Sequence, residues 1–186
     1  MLRPLLISCV TAALVLGGCA RQNFRNDLFQ ATLTTPYTLG SGDRVRVLVF
    51  GQDALSNTYS VSGAGSISMP LVADVPVYGL TTAQAERAIE ARLRGGYLRD
   101  PHVSVEVDAY RPFFVLGEVT AAGQYPFING MTIRKAIAVS GGFTPRGYQK
   151  LAEITRVIDG VPVLGRFPLD TPIRPGDTVT VEERFF

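Results

Sequence analysis

The same six-residue pattern occurs twice in this chain. Gly42-Asp43-Arg44-Val45-Arg46-Val47 and Gly176-Asp177-Thr178-Val179-Thr180-Val181 agree at four positions. Each sets a tight turn directly before a strand. Gly permits the left-handed backbone of the turn, and Asp can bond its own backbone where the strand begins. The valines then alternate with other residues at the period of two expected of a strand with one buried face. A Gly-Asp strand opening is common, so recurring turn chemistry accounts for the echo. What it constrains is architecture: short strands, sharply started, on half-buried sheets.

Composition agrees with that demand. The 186 residues include 19 Gly and 12 Pro, so many short strands are expected rather than a helical bundle. The 46% of hydrophobic residues suffices for a core, and a net charge of +2 without like-charge blocks does not suggest a nucleic-acid surface.

Two folded halves are expected. In the first, residues 37–110, "YSVSGAGSISMPL" reads as two short strands across a Gly-rich turn. "TTAQAERAIEARLRGG" reads as a helix capped by Thr81, with Gln84 completing a capping box and Ala85, Ala88, Ile89 and Leu93 as its apolar stripe. Val103, Val105 and Val107 mark another strand. In the second half, residues 111–186, "PFFVLGEV" reads as a strand. A short helix is capped by Thr132, with Ile133, Ala136 and Ile137 inward, and a hairpin turns at Asp159-Gly160. The expected class is α+β: two small mixed-sheet domains with one main helix each.

The N-terminus reads as an export signal over residues 1–18. Arg3 supplies the positive region, and Leu5 to Leu16 form an apolar run. At about 12 residues that run is short of the ~20 needed to span a hydrocarbon core. Residues 19–36 show no clear period and read as a tether. Cys9 would leave with the signal, so Cys19 has no intrachain disulfide partner. Leu16-Gly17-Gly18-Cys19 resembles the lipobox of bacterial lipoproteins, in which the Cys is acylated and becomes the first mature residue. That resemblance assigns Cys19 to lipidation. Ala20, where Asp would resemble an inner-membrane retention signal, favours the outer membrane.

No catalytic constellation is legible. His102 is the one imidazole and follows Pro101 at a strand start, an expected solvated edge. One His with no Cys cluster gives no zinc pattern, and no Ser sits in a nucleophile elbow. "SGDRV" lacks the Lys of a phosphate loop, and "VSGGF" follows a helix, so it reads as a C-cap. The chain is expected not to be an enzyme, with no catalytic residues, cofactor or metal. Tyr110, Phe113, Phe114, Tyr125, Phe127, Phe143 and Tyr148 read as core or subunit contacts in preference to sugar-stacking rings.

The order of these pieces is recognisable. "YTLGSGDRVRVLVF", "GSISMPLVADVPVYGLTTAQAERAI" and "YLRDPHVSVEV" resemble the export domain of the outer-membrane polysaccharide export family. "VLGEVTAAGQYPFINGMTIRKAIAVSGGFTP" followed by "PGDTVTV" resembles its soluble-ligand-binding β-grasp domain. The resemblance implies a homo-oligomeric ring of lipid-anchored subunits on the periplasmic face of the outer membrane. The ring would conduct capsular or extracellular polysaccharide from an inner-membrane co-polymerase. Larger relatives carry a C-terminal amphipathic helix; this sequence shows none, so either a separate outer-membrane partner or a lipid-anchored periplasmic role is expected. The alternative is a periplasmic β-grasp adaptor or sensor that binds glycan.

Overall fold

The computed structural model describes residues 24–184. Their fold is α+β, and two hydrophobic clusters organise it. The expected signal and Cys19 lie outside the described residues.

The first cluster is built on β1 (Arg44–Val49), β2 (Asn57–Ser60) and β5 (Val103–Ala109), an antiparallel sheet in the order β2-β1-β5. Val45, Val47 and Val49 are buried while their neighbours face solvent, as the alternation predicts. Helix α2 (Thr82–Arg94) covers that face with Ala85, Ile89 and Leu93. Its capping box forms in both directions between Thr81 and Gln84. β3 (Ser66–Met69) and β4 (Ala73–Pro76) make a separate two-stranded sheet. The two strands read across the Gly-rich turn are therefore not partners. β2 pairs with β1, and β3 pairs with β4.

The second cluster lies on a five-stranded sheet ordered β7-β6-β10-β8-β9. Its strands are β6 (Phe113–Gly117), β7 (Gly123–Tyr125), β8 (Leu151–Ile158), β9 (Val161–Pro168) and β10 (Thr178–Val181). β10 runs parallel to β6 and antiparallel to β8, so this sheet is mixed. The short helix α3 (Ile133–Val139) begins at Thr132, whose side chain accepts from the Lys135 N–H. Asp159 and Gly160 close the β8–β9 hairpin with φ of 51° and 79°, as a type I′ turn requires.

The expected tether gives way over part of its length. Residues Asn26–Thr34 form helix α1, and Phe29 is 2% exposed within the second cluster. The helix has no side-chain cap. Tertiary contacts hold it instead. The Asn26 side chain donates to the Arg166 carbonyl and accepts from the Arg166 N–H, while the Arg25 N–H donates to the Leu164 carbonyl. The chain thus visits the second core, builds the first, and returns.

Both sheets also have a closed edge. The Val103 and Val105 N–H groups on β5 donate to Glu90 and Glu86, one helical turn apart on α2. On β9, Asn26 occupies the edge groups of Arg166, and Pro162 has no N–H to offer.

Candidate functional site: the junction between the halves

Each Gly-Asp pair closes a four-residue turn. In the first, the Asp43 N–H donates to the Gly40 carbonyl at 3.1 Å, and the Gly40 N–H donates to Asp43 Oδ2 at 2.7 Å. In the second, the Asp177 N–H donates to the Arg174 carbonyl at 3.1 Å, and the Arg174 N–H donates to Asp177 Oδ2 at 2.7 Å. Gly42 and Gly176 sit at φ of 92° and 85°, where a Cβ would be strained. The expectation that Asp bonds its own turn holds at both sites.

Both carboxylates are buried, so each needs a cation or several donors. Asp177 takes a bidentate pair from Arg156, Nε to Oδ1 at 2.8 Å and Nη2 to Oδ2 at 2.6 Å. Arg156 also reaches α1. Its guanidinium lies 4.9 Å from the Phe29 ring centre and bonds the Thr32 hydroxyl. Asp43 has a different set. Tyr37 Oη donates to Oδ2 at 2.5 Å, Arg111 Nη1 to Oδ2 at 3.0 Å, and the Arg111 N–H to Oδ1 at 2.7 Å. Burial, and then the Asp43 hydrogen bond, holds the Tyr37 hydroxyl well above the usual tyrosine range.

Arg111 brings the two turns together. A side chain at Gly40 would collide with its guanidinium, and a Cβ at Gly176 would stand 2.9 Å from its Nε. Gly176 is further tied by its N–H to the Pro112 carbonyl at 3.0 Å. Arg174 reaches back to the Thr35 carbonyl at 2.6 Å. Burial, then the neighbouring Arg156 charge, pulls Arg174 below the ordinary arginine range. Tyr37, Tyr110 and Phe127 stack edge to face across the joint, with ring centres 5.0 and 5.5 Å apart. The arrangement fixes the orientation of two small cores; it aligns no nucleophile with a base.

The other singled-out residues lie apart from this joint. The His102 side chain is 70% exposed and 3.5 Å from Asp100. Phe113 is fully buried, Phe114 lies on the open face of the sheet, and Tyr125, Phe127, Phe143 and Tyr148 are half-buried. Among the described residues, no three His, Cys, Asp or Glu gather to hold a metal. No described helix is long and apolar enough to cross a membrane.

Comparison with known proteins matches this two-part plan. Residues 31–108 match the polysaccharide biosynthesis/export protein family, and residues 112–167 match the SLBB domain. The first half of the chain thus carries the domain of the polysaccharide export family, followed by an SLBB domain. The first match ends at residue 108 and the second begins at residue 112, so Arg111, the residue that joins the turns, lies between them. Over 118 residues, 57% of this chain, it is 36% identical to the exopolysaccharide production protein ExoF of Rhizobium meliloti, covering 28% of that protein. Over 96% of its length it is 30% identical to the EPS I polysaccharide export outer membrane protein EpsA of Ralstonia solanacearum, covering 56% of it. The EpsA of Ralstonia nicotianae is 29% identical, with 48% of its length covered. The chain thus spans from about a quarter to just over half of these relatives.

Sequence reasoning missed Arg111 and Arg156 as the partners of the two aspartates. They lie 68 and 21 residues from Asp43 and Asp177, with no local signature. The available hint was negative: an Asp expected at the mouth of a buried strand twice over requires a cation twice over.

Proposed function

We propose that this protein is a lipid-anchored component of a polysaccharide export machine on the periplasmic face of the outer membrane. Its copies assemble as a ring that conducts capsular or extracellular polysaccharide and meets an inner-membrane co-polymerase. The observation that carries this reading is the tandem family match, export domain then SLBB domain, alongside similarity to relatives named as polysaccharide export outer membrane proteins. A ring also suits the physical chemistry. Two small cores bury a limited share of apolar surface, and head-to-tail contacts that close give cyclic symmetry. In this reading transport makes and breaks no bond, and Cys19 attaches the chain to lipid, with domains at 37–110 and 111–186. Acyl chains contribute about 0.8 kcal/mol per buried CH2, so several of them make a lasting anchor.

The test is a deletion strain complemented with wild-type or Cys19→Ser protein, together with electron microscopy of detergent-extracted protein. Loss of surface glycan, its recovery with wild type, mislocalised Cys19→Ser protein and closed rings are expected. Unchanged glycan and a monomer in mild detergent would overturn the reading. Tight, saturable calorimetric binding of short glycan fragments by that monomer would replace it with the adaptor function.

A further inference from the structure

The face of the five-stranded sheet opposite α3 carries a polar group that the joint does not use. Glu153 on β8 stands across from Thr180 of β10 on one side and Arg166 of β9 on the other. Glu182 follows Thr180 by two residues and so shares its face. Arg166 reaches over β8 to ion-pair with Glu182, with its guanidinium 5.6 Å from the Tyr148 ring centre. Glu153 stands on the strand between the two partners of that bridge and is 9% exposed. Its Oε1 and the Arg166 Nε have no hydrogen-bond partner among the described residues.

Above the group, the backbone after β10 is zipped to a loop. The Tyr148 N–H donates to the Glu182 carbonyl, and the Arg184 N–H donates to the Arg146 carbonyl, both at 2.8 Å. Arg146 and Glu183 add an ion pair at the surface. The charged and titratable groups around it include Arg166 from β9, Glu182, Glu183 and Arg184 after β10, and Arg146 and Tyr148 from the loop.

We propose that Glu153, Glu182 and Arg166 form an acid-closed latch that holds residues 182–184 against loop 146–148. Glu182 holds the Arg166 guanidinium in an ion pair, and Glu153 faces the same guanidinium without a bond to its Oε1. A second charge in this half-dry place is disfavoured. Burial, then the Glu182 charge, raises Glu153 above the ordinary glutamate range, while Arg166 opposes the rise. The closed form accordingly holds a proton on Glu153 more tightly than the open form does. When that proton leaves, Glu153 competes with Glu182 for Arg166 and repels it. Glu182 then swings out, and the two backbone bonds that depend on its position open.

Linkage gives the sign. The closed form binds more protons than the open form between the ordinary glutamate pKa and the raised one. Closure is complete below the ordinary value and weakens as pH rises through the raised value. Between them the opening equilibrium grows with pH, at most about tenfold per pH unit, and above them it levels off.

The experiment is amide hydrogen exchange on the full chain, corrected for the intrinsic pH dependence, read at the Tyr148 and Arg184 N–H groups. Protection should fall with rising pH in the wild type. It should stay flat in Glu153→Gln, which keeps the shape and loses the titration. Glu182→Gln is the second variant: Glu153 then has Arg166 to itself, and the falling profile should disappear there too. A flat wild-type profile, or a falling profile retained in either variant, would overturn the latch.

Discussion

The two Gly-Asp turns have the same backbone and serve different ends. Asp177 is matched by Arg156, whose side chain is 6% exposed and belongs to the same sheet. Asp43 is matched by Arg111, whose side chain is 29% exposed and stands where one half gives way to the other. One carboxylate thus secures a core and the α1 helix laid over it. The other secures a joint. The difference shows how a single turn motif can be fitted to two mechanical tasks by the origin of the arginine.

The comparison predicts unequal losses. Arg156→Met should have the largest effect. It strips a buried carboxylate of its bidentate cation and removes the support of Phe29 and Thr32. Breaking such a pair from one side costs about 3–5 kcal/mol. Chemical denaturation should show that loss in the unfolding of the second half, and proteases should gain access to α1. A loss under 1 kcal/mol would erase the contrast between the two turns.

Arg111→Met should cost less, about 1.5–3 kcal/mol, the range for hydrogen bonds to a charged group. Asp43 would keep Tyr37 and the N–H groups of Gly40 and residue 111, since the last two are backbone donors. The loss should concern coupling. Calorimetry should resolve one transition into two, and cleavage should appear near residue 111. A single transition, merely shifted, would show that Arg111 is part of a core and not a joint.

Tyr37→Phe comes next, at the lower end of that range, with a loss of about 1.5 kcal/mol at neutral pH. Its sharper readout is alkaline. The Tyr37 hydroxyl holds its proton above the ordinary range in the folded chain. The unfolded chain loses that proton near pH 10. The associated stability is therefore complete below pH 10 and declines as pH rises beyond it. Denaturation midpoints should fall less steeply above pH 10 in the Phe variant. Equal slopes would remove Tyr37 from the joint.

The halves also differ in how far the sequence disclosed them. Helix α2 carries its whole definition locally: Thr81 and Gln84 at the start, and Ala85, Ile89 and Leu93 on one face. The same holds for the Asp159-Gly160 hairpin and for both Gly-Asp turns. Helix α1 has no cap, and its hold on Arg166 spans 140 residues. A trace was present, since Leu28, Phe29, Thr32 and Leu33 are spaced for one helical face. That stripe gains meaning only from the strand it covers. The joint was hidden for the same reason: Gly42 and Gly176 read as turn residues, while their closeness to Arg111, and that of Gly40, is a tertiary fact. Partner choice among short strands was likewise invisible, because β2 and β3 have equal local claims to a hairpin.

The smallest effect separates the two closed edges. On β9 a single side chain, Asn26, both closes the edge and starts α1, so edge and helix should be lost together. On β5 the work is divided between Glu86 and Glu90, which belong to a helix that is secured elsewhere. Glu90→Ala should therefore cost about 1 kcal/mol or less, because water can replace a carboxylate at an exposed edge. Exchange should quicken at the Val103 N–H and stay unchanged at Val105, and Glu86→Ala should do the reverse. If either variant frees both amides and loosens α2, the β5 edge is coupled to its helix as the β9 edge is to α1. The two halves would then share one means of closing a sheet instead of two.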